Sequence, residues 1–337
     1  MEIRVSVIGA GSWGTTVAAL ASRNTPTTLW SRRTTLAEQI DQDHENGDYL
    51  AGFKLPTQLR ATADLERAVR DADLLVMGVP SHGFRESLQA VKPYLRPWVP
   101  VVSLAKGLEV GTRQRMSQLV EEILPGHPVG VLTGPNLAKE ILAGHAAASV
   151  IAMDDDNIAR AIQDLFQGDL FRVYTNEDVV GSELGGVLKN VVAIAAGMAD
   201  GLGAGDNTRA AVITRGLAEI TRLGVALGGE VSTFAGLAGM GDLVATCMSP
   251  QSRNRHVGEC LGKGQTIEEI IAQMNMVAEG VKTSKVVMEI AEERGVDMPI
   301  ASEVRAVCHE GRVAAEAYAG LLRRGAGREV DYGTRGR

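Results

Sequence analysis

A lysine and an asparagine stand in the middle of an otherwise apolar, small-residue segment, ELGGVLKNVVAIAAG, at residues 183–197. On a helix, very small residues would surround Lys189 on one side. A glycine inside a helix costs about 1 kcal/mol relative to alanine, so Gly185 and Gly186, one turn before the lysine, predict that another group approaches the backbone there. A lysine in such a place can stabilise negative charge and transfer a proton. The alternative is tight helix packing, with Lys189 extending to water.

A glycine-rich turn follows the first predicted strand, with the sequence Gly9-Ala10-Gly11-Ser12-Trp13-Gly14. In this GxGxxG spacing the first glycine permits a tight turn, the second lets the backbone approach a pyrophosphate, and the third lets the helix lie close to the strand. The N-terminus of the next helix adds N–H donors for an anion. The position between a strand and a helix predicts dinucleotide binding; the alternative is a glycine-rich turn without a ligand.

The second predicted strand ends with Trp30-Ser31-Arg32-Arg33 and has no acidic residue there. A site that prefers NAD would place Asp or Glu at this point to bind the ribose hydroxyls. Two guanidinium groups instead suit a 2′-phosphate, because arginine pairs with phosphate through bidentate, charge-assisted hydrogen bonds. We therefore predict that NADP(H) is preferred over NAD(H), with the alternative that one or both arginines only face water.

Further polar groups stand at strand ends or after glycine-rich turns. Lys106 follows the strand predicted at about 99–105, and Asn136 follows the next one within TGPNLAKE. Asp242 follows GLAGMG, Glu279 precedes a predicted helix, and residues 252–254 supply serine, arginine and asparagine donors suited to a phosphomonoester. Taken singly, each has a simpler alternative: a solvated loop lysine, a helix-capping Asn or Asp, a charged loop, or an acid placed at a helix N-terminus.

Length and composition limit the classes of protein to consider. At 337 residues the chain favours two domains, and its net charge of −7 argues against nucleic acid or an anionic membrane as the main partner. The three cysteines form no CxxC pair and the six histidines have no ligand-like spacing, so we expect neither disulfides nor a metal site, and a cytoplasmic location. No targeting segment is visible, and the apolar run VVAIAAGMA is too short to span a bilayer.

The elements that must position these side chains change in type along the chain. In residues 1–178, short β-branched runs alternate with helical segments, which predicts a doubly wound, mainly parallel, Rossmann-like α/β sheet. In residues 179–337 the pattern predicts an all-helical domain, with helices at 179–199, 208–227, 266–274, 281–294 and 300–323. Residues 324–337 are charged and glycine-rich and predict a flexible tail. A domain boundary is a common place for a ligand cleft.

Seven ordered blocks resemble the bacterial-type NAD(P)-dependent glycerol-3-phosphate dehydrogenases. The blocks are GAGSWG, SLAKGLE, TGPNLAKE, ELGGVLKNVVAIAAG, NTRAAVITRGLAEITRLG, GLAGMGDLVATCMSPQSRNRHVG and AEGVKT. The resemblance extends to about residue 310, and the chain matches the family poorly after about Cys308. It implies reduction of dihydroxyacetone phosphate to sn-glycerol 3-phosphate by NAD(P)H, which supplies glycerophospholipid synthesis.

The resemblance also implies roles for individual positions. Lys189 matches the family's catalytic proton acceptor. The dinucleotide would contact, beyond the glycine turn, Ser12, Trp13, Arg32, Arg33, Lys106, Ala138, Arg253, Val277 and Glu279. The substrate would contact Lys106, Gly134, Asn136, Lys189, Asp242, Ser252, Arg253 and Asn254. In many members a serine stands at the position of Asn136.

Two other readings remain open from the sequence. A β-hydroxyacid dehydrogenase would share the nucleotide-binding domain, the helical second domain and a lysine on its first helix, and it would act on 3-hydroxy acids. A non-catalytic NADPH sensor would bind the dinucleotide without turnover and would leave Lys106, Lys189 and Asp242 without a joint purpose. The family resemblance further suggests a homodimer, and we expect the domains to close over the ligands.

Overall fold

The computed structural model describes residues 2–274 and 278–323, and it divides into two compact units, Met1–Val179 and Val180–Arg337. The predicted contact of Val277 and the predicted tail at 324–337 lie outside the described residues.

The first unit is built on one eight-stranded sheet. Its strands are β1 (Val5–Ile8), β2 (Thr27–Trp30), β3 (Arg60–Thr62), β4 (Leu74–Met77), β5 (Val101–Ser103), β6 (Val129–Thr133), β7 (Ala147–Met153) and β8 (Phe171–Asn176). The strand order is β3-β2-β1-β4-β5-β6-β7-β8, and the neighbours are parallel except for the antiparallel pair β6–β7. The predicted mainly parallel, doubly wound class is confirmed. Strand β3 was not predicted, because its sequence, Arg-Ala-Thr, lacks the run of apolar β-branched residues that marks the other strands.

Helices cover both faces of this sheet. They are α1 (Ser12–Ala21), α2 (Thr34–Asp43), α3 (Leu65–Val69), α4 (Phe84–Val91), α5 (Met116–Ile123), α6 (Ala138–Leu142) and α7 (Asp156–Phe166). Leu74 and Val76 of β4 point into a core shared with α1, α2, α6 and α7, whereas Leu75 and Met77 point into a second core shared with α3, α4 and α5. Because β1 to β6 all run in the same direction, the turns that follow them lie at one edge of the sheet, whereas β7 and β8 run the opposite way.

The described residues of the second unit are helical and contain no strand. The helices are α8 (Val179–Gly201), α9 (Asp206–Ala226), α10 (Val231–Ala235), α11 (Asp242–Met248), α12 (Arg253–Gly262), α13 (Ile267–Gln273), α14 (Glu279–Arg294), α15 (Pro299–His309) and α16 (Ala314–Arg323). The single helix predicted at 300–323 is wrong. Gly311 adopts a left-handed backbone with φ 73°, which ends the helical path and separates α15 from α16.

Helix α8 forms the centre of the second unit's core. Among the described residues it is the one helix long and apolar enough to cross a membrane, and 94% of its apolar window is buried within the structure. The run VVAIAAGMA, which is too short by itself to span a bilayer, is part of this helix of 23 residues. Its burial is that of a core helix in a folded protein.

Glycines bring α12 directly against α8. A Cβ on Gly197 would overlap the carbonyl oxygen of Arg255, and a Cβ on Gly258 would overlap that of Ile194. Gly201 and Gly262 repeat the same arrangement one turn further along. The two helix backbones therefore touch, which places the start of α12 beside the polar middle of α8.

Candidate active site

The turn between β1 and α1 has the geometry that its glycines predict. Gly9 has φ +114°, and a Cβ there would lie 2.7 Å from the carbonyl oxygen of Gly78. A Cβ on Gly14 would overlap the carbonyl oxygen of Gly9, so this glycine is required for close packing of helix on strand. A Cβ on Gly11 would meet nothing within 4 Å. The turn thus has open space where the backbone would approach a pyrophosphate, and these residues fit a dinucleotide.

Two candidate ligands follow neighbouring parallel strands and meet at the same edge. The Nζ atom of Lys106, after β5, donates to the carbonyl oxygen of Gly134, after β6, at 2.9 Å. Gly134 has φ +127°, a backbone conformation that a residue with a side chain rarely adopts. The lysine is therefore held in place by a backbone group of the adjacent turn.

Asn136 lies in the same turn as Gly134 and does not cap a helix. The N-cap of α6 is Leu137, with no side-chain cap bond, so the helix-capping alternative is wrong. The Oδ1 atom of Asn136 lies 3.1 Å from the Ser149 hydroxyl. Its buried Nδ2 atom has no hydrogen-bond partner among residues 2–274 and 278–323. A buried amide donor without a partner is uncommon in a folded protein and fits a site that binds an oxygen-rich ligand.

The two arginines after β2 have different surroundings. The Arg33 guanidinium pairs with Asp48 at 2.6 Å and lies 5.6 Å from the centre of the Tyr49 ring. Arg32 is exposed, and no ion pair is found for it within the described part of the chain. Ser12, at the start of α1, donates through its hydroxyl to the carbonyl oxygen of Tyr49 at 3.4 Å. Arg33 is thus already neutralised by a carboxylate, whereas Arg32 is available to an anion.

In the second unit, Lys189 is buried in a polar cluster rather than extending to water. Its side chain is 7% exposed, and that of Asp242 is 3% exposed. The Nζ atom donates to Asp242 Oδ1 at 2.5 Å and to the hydroxyl of Thr246 at 2.5 Å. Thr246 also lies 3.4 Å from Asp242 Oδ1, one helical turn along α11. The alternative of a solvent-exposed lysine is therefore wrong.

Gly185, one turn before Lys189, explains why Asp242 lies beside the lysine. A Cβ on Gly185 would lie 2.5 Å from the carbonyl oxygen of Ala238, in the π-helical turn Leu237–Gly241 that leads into α11. Gly185 is thus small because this turn packs on α8, and the group predicted to approach it is protein backbone. The same contact places Asp242, at the start of α11, beside the lysine.

A second polar contact ties α8 to α12 and α14. The Nδ2 atom of Asn254 donates to Asn190 Oδ1 at 3.0 Å, and the backbone N–H of Gly280 donates to Asn254 Oδ1 at 3.0 Å. Glu279, the neighbour of Gly280, is the first residue of α14. Ser252 caps α12 by accepting from the backbone N–H of Arg255 at 3.2 Å. The structure therefore brings Asn254 to Asn190.

The remaining candidates stand apart from these contacts. Arg253 is exposed at the start of α12, and Ala138 is the first residue of α6. Trp13 Nε1 is buried without a hydrogen-bond partner in the described residues.

The cysteine beside this cluster is not a reactive thiol. Burial raises the pKa of the Cys247 thiol, next to Thr246, to about 12, so the thiol stays protonated near neutral pH and is a poor nucleophile. Among the described residues, no group of three or more His, Cys, Asp or Glu side chains could hold a metal ion.

Thr246 and Asn190 were not assigned a role from the sequence. Thr246 lies four positions after Asp242, so a helix would place both on one face, and that spacing could have indicated it. The hydrogen-bond partner of Asn190 is Asn254, 64 residues away in the sequence. Only the packing of α8 against α12 reveals this pair.

One unit offers a turn open to a pyrophosphate, and the other a buried lysine held by a carboxylate and a hydroxyl. Hydride transfer between a nicotinamide dinucleotide and a carbonyl or alcohol needs these two parts. The folds of the two units, and the groups that each unit presents, are thus those of a two-domain dehydrogenase.

Comparison with known proteins defines the family. Residues 4–159 match the model for the N-terminus of NAD-dependent glycerol-3-phosphate dehydrogenase, and residues 178–319 match the model for its C-terminus. The chain is 60% identical over 333 residues to glycerol-3-phosphate dehydrogenase (NAD(P)+) 2 of Sphingopyxis alaskensis, which covers 99% of this chain and 100% of the relative. It is 56% identical over 330 residues to the Mycobacterium avium glycerol-3-phosphate dehydrogenase (NAD(P)+), with 98% and 97% of the two chains covered.

The solved glycerol-3-phosphate dehydrogenase of Coxiella burnetii superposes with a TM-score of 0.90 at 35% identity, covering 96% of this chain and 99% of that one. This chain belongs to the NAD-dependent glycerol-3-phosphate dehydrogenase family. The resemblance inferred from the seven sequence blocks is confirmed. Its predicted end near residue 310 is wrong, because the C-terminal model matches to residue 319 and the Sphingopyxis alaskensis relative aligns over 99% of this chain.

Proposed function

We propose that this chain reduces dihydroxyacetone phosphate to sn-glycerol 3-phosphate with NAD(P)H, reversibly, and so supplies glycerophospholipid synthesis. The observation that carries the proposal is the buried cluster of Lys189, Asp242 and Thr246. It is supported by 60% identity, over 99% of the chain, to a relative named for this activity. The names of the relatives give NAD(P)+ as the cofactor class.

The proposal divides the binding work between the two units. When bound, the dinucleotide supplies or accepts the hydride. The residues proposed to hold it are Gly9, Gly11, Ser12, Trp13, Gly14, Arg32, Arg33, Lys106, Ala138, Arg253, Val277 and Glu279. Those proposed to hold the substrate are Lys106, Gly134, Asn136, Lys189, Asp242, Ser252, Arg253 and Asn254. The Nδ2 atom of Asn136, which has no partner in the described part of the chain, suits an oxygen of the phosphate or a hydroxyl.

Lys189 is the proposed proton donor and acceptor. As the substrate carbonyl is reduced, negative charge builds on its oxygen, and the lysine ammonium stabilises that charge and donates the proton. In the reverse direction the neutral amine removes the proton from the hydroxyl. Asp242 and Thr246 fix the position of Nζ, each at 2.5 Å. Because the Lys189 side chain is only 7% exposed, the low local dielectric strengthens its interaction with the developing charge.

A substrate panel tests the proposed reaction. We expect the purified chain to oxidise NADPH or NADH when dihydroxyacetone phosphate is present. The loss of nicotinamide absorbance measures this reaction. The control assays use dihydroxyacetone, which lacks the phosphate, and 3-hydroxy acids in the oxidative direction. Turnover of the hydroxy acids alone would contradict the proposal in favour of a β-hydroxyacid dehydrogenase. Dinucleotide binding without turnover of any of them would favour the sensor.

We further propose that NADP(H) is preferred and that Arg32 carries the preference. Arg33 is paired with Asp48 at 2.6 Å, whereas Arg32 is exposed without an ion pair in the described residues. Arg32→Ala should lower the ratio of kcat/KM for NADPH to that for NADH by about 10- to 100-fold, the range expected for a lost charge-assisted hydrogen bond. The matched control is Arg172→Ala, at an exposed arginine on β8. An unchanged ratio in Arg32→Ala would contradict this assignment.

We also propose a cytoplasmic compartment and a homodimeric assembly. Cys247, Cys260 and Cys308 are free thiols, which fits a reducing compartment such as the cytoplasm. A homodimer is proposed from the family resemblance, and light scattering of the purified chain tests it.

A further inference from the structure

Lys106 lies directly before a small hairpin that closes on itself. Leu108 pairs with Arg115 in an antiparallel bridge, and the backbone N–H of Glu109 donates to the carbonyl oxygen of Gln114 at 3.0 Å. Only Gly107 separates Lys106 from this bridge. Any displacement of the hairpin, residues 108–115, is therefore passed to Lys106 over a very short stretch of chain.

One arginine fastens this hairpin to the helices on either side. Arg85, in the first turn of α4, donates to the two oxygens of Glu109 at 2.7 and 2.9 Å and to Gln114 Oε1 at 3.0 Å. It also donates to the two oxygens of Glu122, on α5, at 2.6 and 3.1 Å. The Glu109 side chain is only 15% exposed, and Thr112 donates to it at 2.5 Å. Arg85 thus joins α4, the hairpin and α5.

The Arg85 guanidinium balances the negative charges of two carboxylates, so another side chain could not easily take its place. The Arg85 guanidinium lowers the pKa of the Glu109 and Glu122 carboxyls, while the charge of Glu122 raises that of Glu109. Without the guanidinium, two carboxylates would face each other across the base of the hairpin and repel. A lysine would keep the charge but could not form the two side-on pairs, because its ammonium is a point charge.

We propose that Arg85 is a positioning residue for Lys106, acting through Glu109 and the hairpin 108–115. This inference rests on the proposed function, in which Lys106 contacts dinucleotide and substrate. Arg85 itself touches neither the Lys106 side chain nor the glycine-rich turn in any described contact, so its effect on activity passes through the hairpin.

A double-mutant cycle with Lys106 tests the inference. Arg85→Met should lower kcat/KM for dihydroxyacetone phosphate at least about tenfold, because small displacements of binding groups strongly reduce rates. In a Lys106→Ala background, adding Arg85→Met should change kcat/KM by less than about twofold, since the residue through which it acts is gone. Arg160→Met, which removes a surface pair with Asp156, is the control and should leave kcat/KM unchanged.

Two further variants separate positioning from simple loss of folding. Arg85→Lys should also lower kcat/KM, with a melting temperature close to that of the wild type and faster amide hydrogen exchange confined to residues 108–115. Adding Glu122→Gln to Arg85→Met should restore part of the activity by removing the repulsion. An equal loss from Arg85→Met in both backgrounds, or no loss in either, overturns the inference while the proposed function stands. A wild type without turnover overturns the proposed function and this inference with it.

Discussion

A buried glutamate in the second unit should make folding stability depend on pH. Glu219, on α9, is 2% exposed and accepts the backbone N–H groups of Ile300 at 2.7 Å and Ala301 at 3.2 Å. These N–H groups belong to the first turn of α15, where a helix has no partners of its own for them. Glu219 therefore fastens α15 to α9. Burial raises its pKa from 4.5 to about 7, against the opposite effect of the two backbone hydrogen bonds.

The raised pKa fixes the direction of the pH dependence. The folded state holds the proton more tightly than the unfolded state, so this stabilising contribution is fully present below about pH 4.5 and is lost as the pH rises through about 7. The difference between 4.5 and about 7 corresponds to about 3 kcal/mol, an order-of-magnitude figure.

Glu219→Gln removes the ionisation while keeping the size of the side chain and one carbonyl oxygen as acceptor. Relative to the wild type, its free energy of unfolding should rise by about 3 kcal/mol between pH 4.5 and pH 8. The measurement is urea denaturation followed by helical circular dichroism at several pH values. Glu316→Gln, at an exposed glutamate of α16, is the control and should track the wild type. A constant difference between Glu219→Gln and the wild type across this range would refute the reasoning.

Two other substitutions test how the second unit is held together. Asp242→Ala leaves the buried Lys189 ammonium without its carboxylate and should lower the free energy of unfolding by about 3–5 kcal/mol. Adding Lys189→Met should recover part of that loss. No recovery in urea denaturation would contradict a buried ion pair between Lys189 and Asp242. Gly258→Ala places a methyl group against the Ile194 carbonyl and should cost about 1–3 kcal/mol. Gly205→Ala, at the N-cap of α9 with nothing within 4 Å, should cost less than about 1 kcal/mol. Equal melting temperatures of these two variants would rule out the close packing of α12 on α8.

Local spacing predicted the glycine-rich turn and the strand-end groups of the first unit. The roles of Gly9 and Gly14 depend on residues close in sequence or on the adjacent strand, so the GxGxxG pattern carries them. Lys106 and Gly134 follow neighbouring parallel strands, and alternating strands and helices are enough to place them at one edge. Fold class and family were therefore readable from the sequence; the individual ligand contacts stay predictions.

Contacts between distant helices were not predictable in the same way. Gly185 was predicted to make room for another group, but nothing nearby in the sequence indicates that this group is the backbone of Ala238, 53 residues away. No residue near Glu219 in the sequence indicates that it caps another helix, because its hydrogen-bond partners lie 81 and 82 residues further on. The small residues of α8 did predict that another group approaches this helix closely. Only the identity of that group required the structure.

The measurement that tests the central claim most directly compares the wild type with Lys189→Ala in NADPH oxidation by dihydroxyacetone phosphate. Dinucleotide affinity is measured in parallel by fluorescence titration. The account predicts rapid oxidation by the wild type and loss of turnover in Lys189→Ala with NADPH binding retained. Turnover by Lys189→Ala at a rate close to that of the wild type would contradict the assignment of Lys189 as the proton donor.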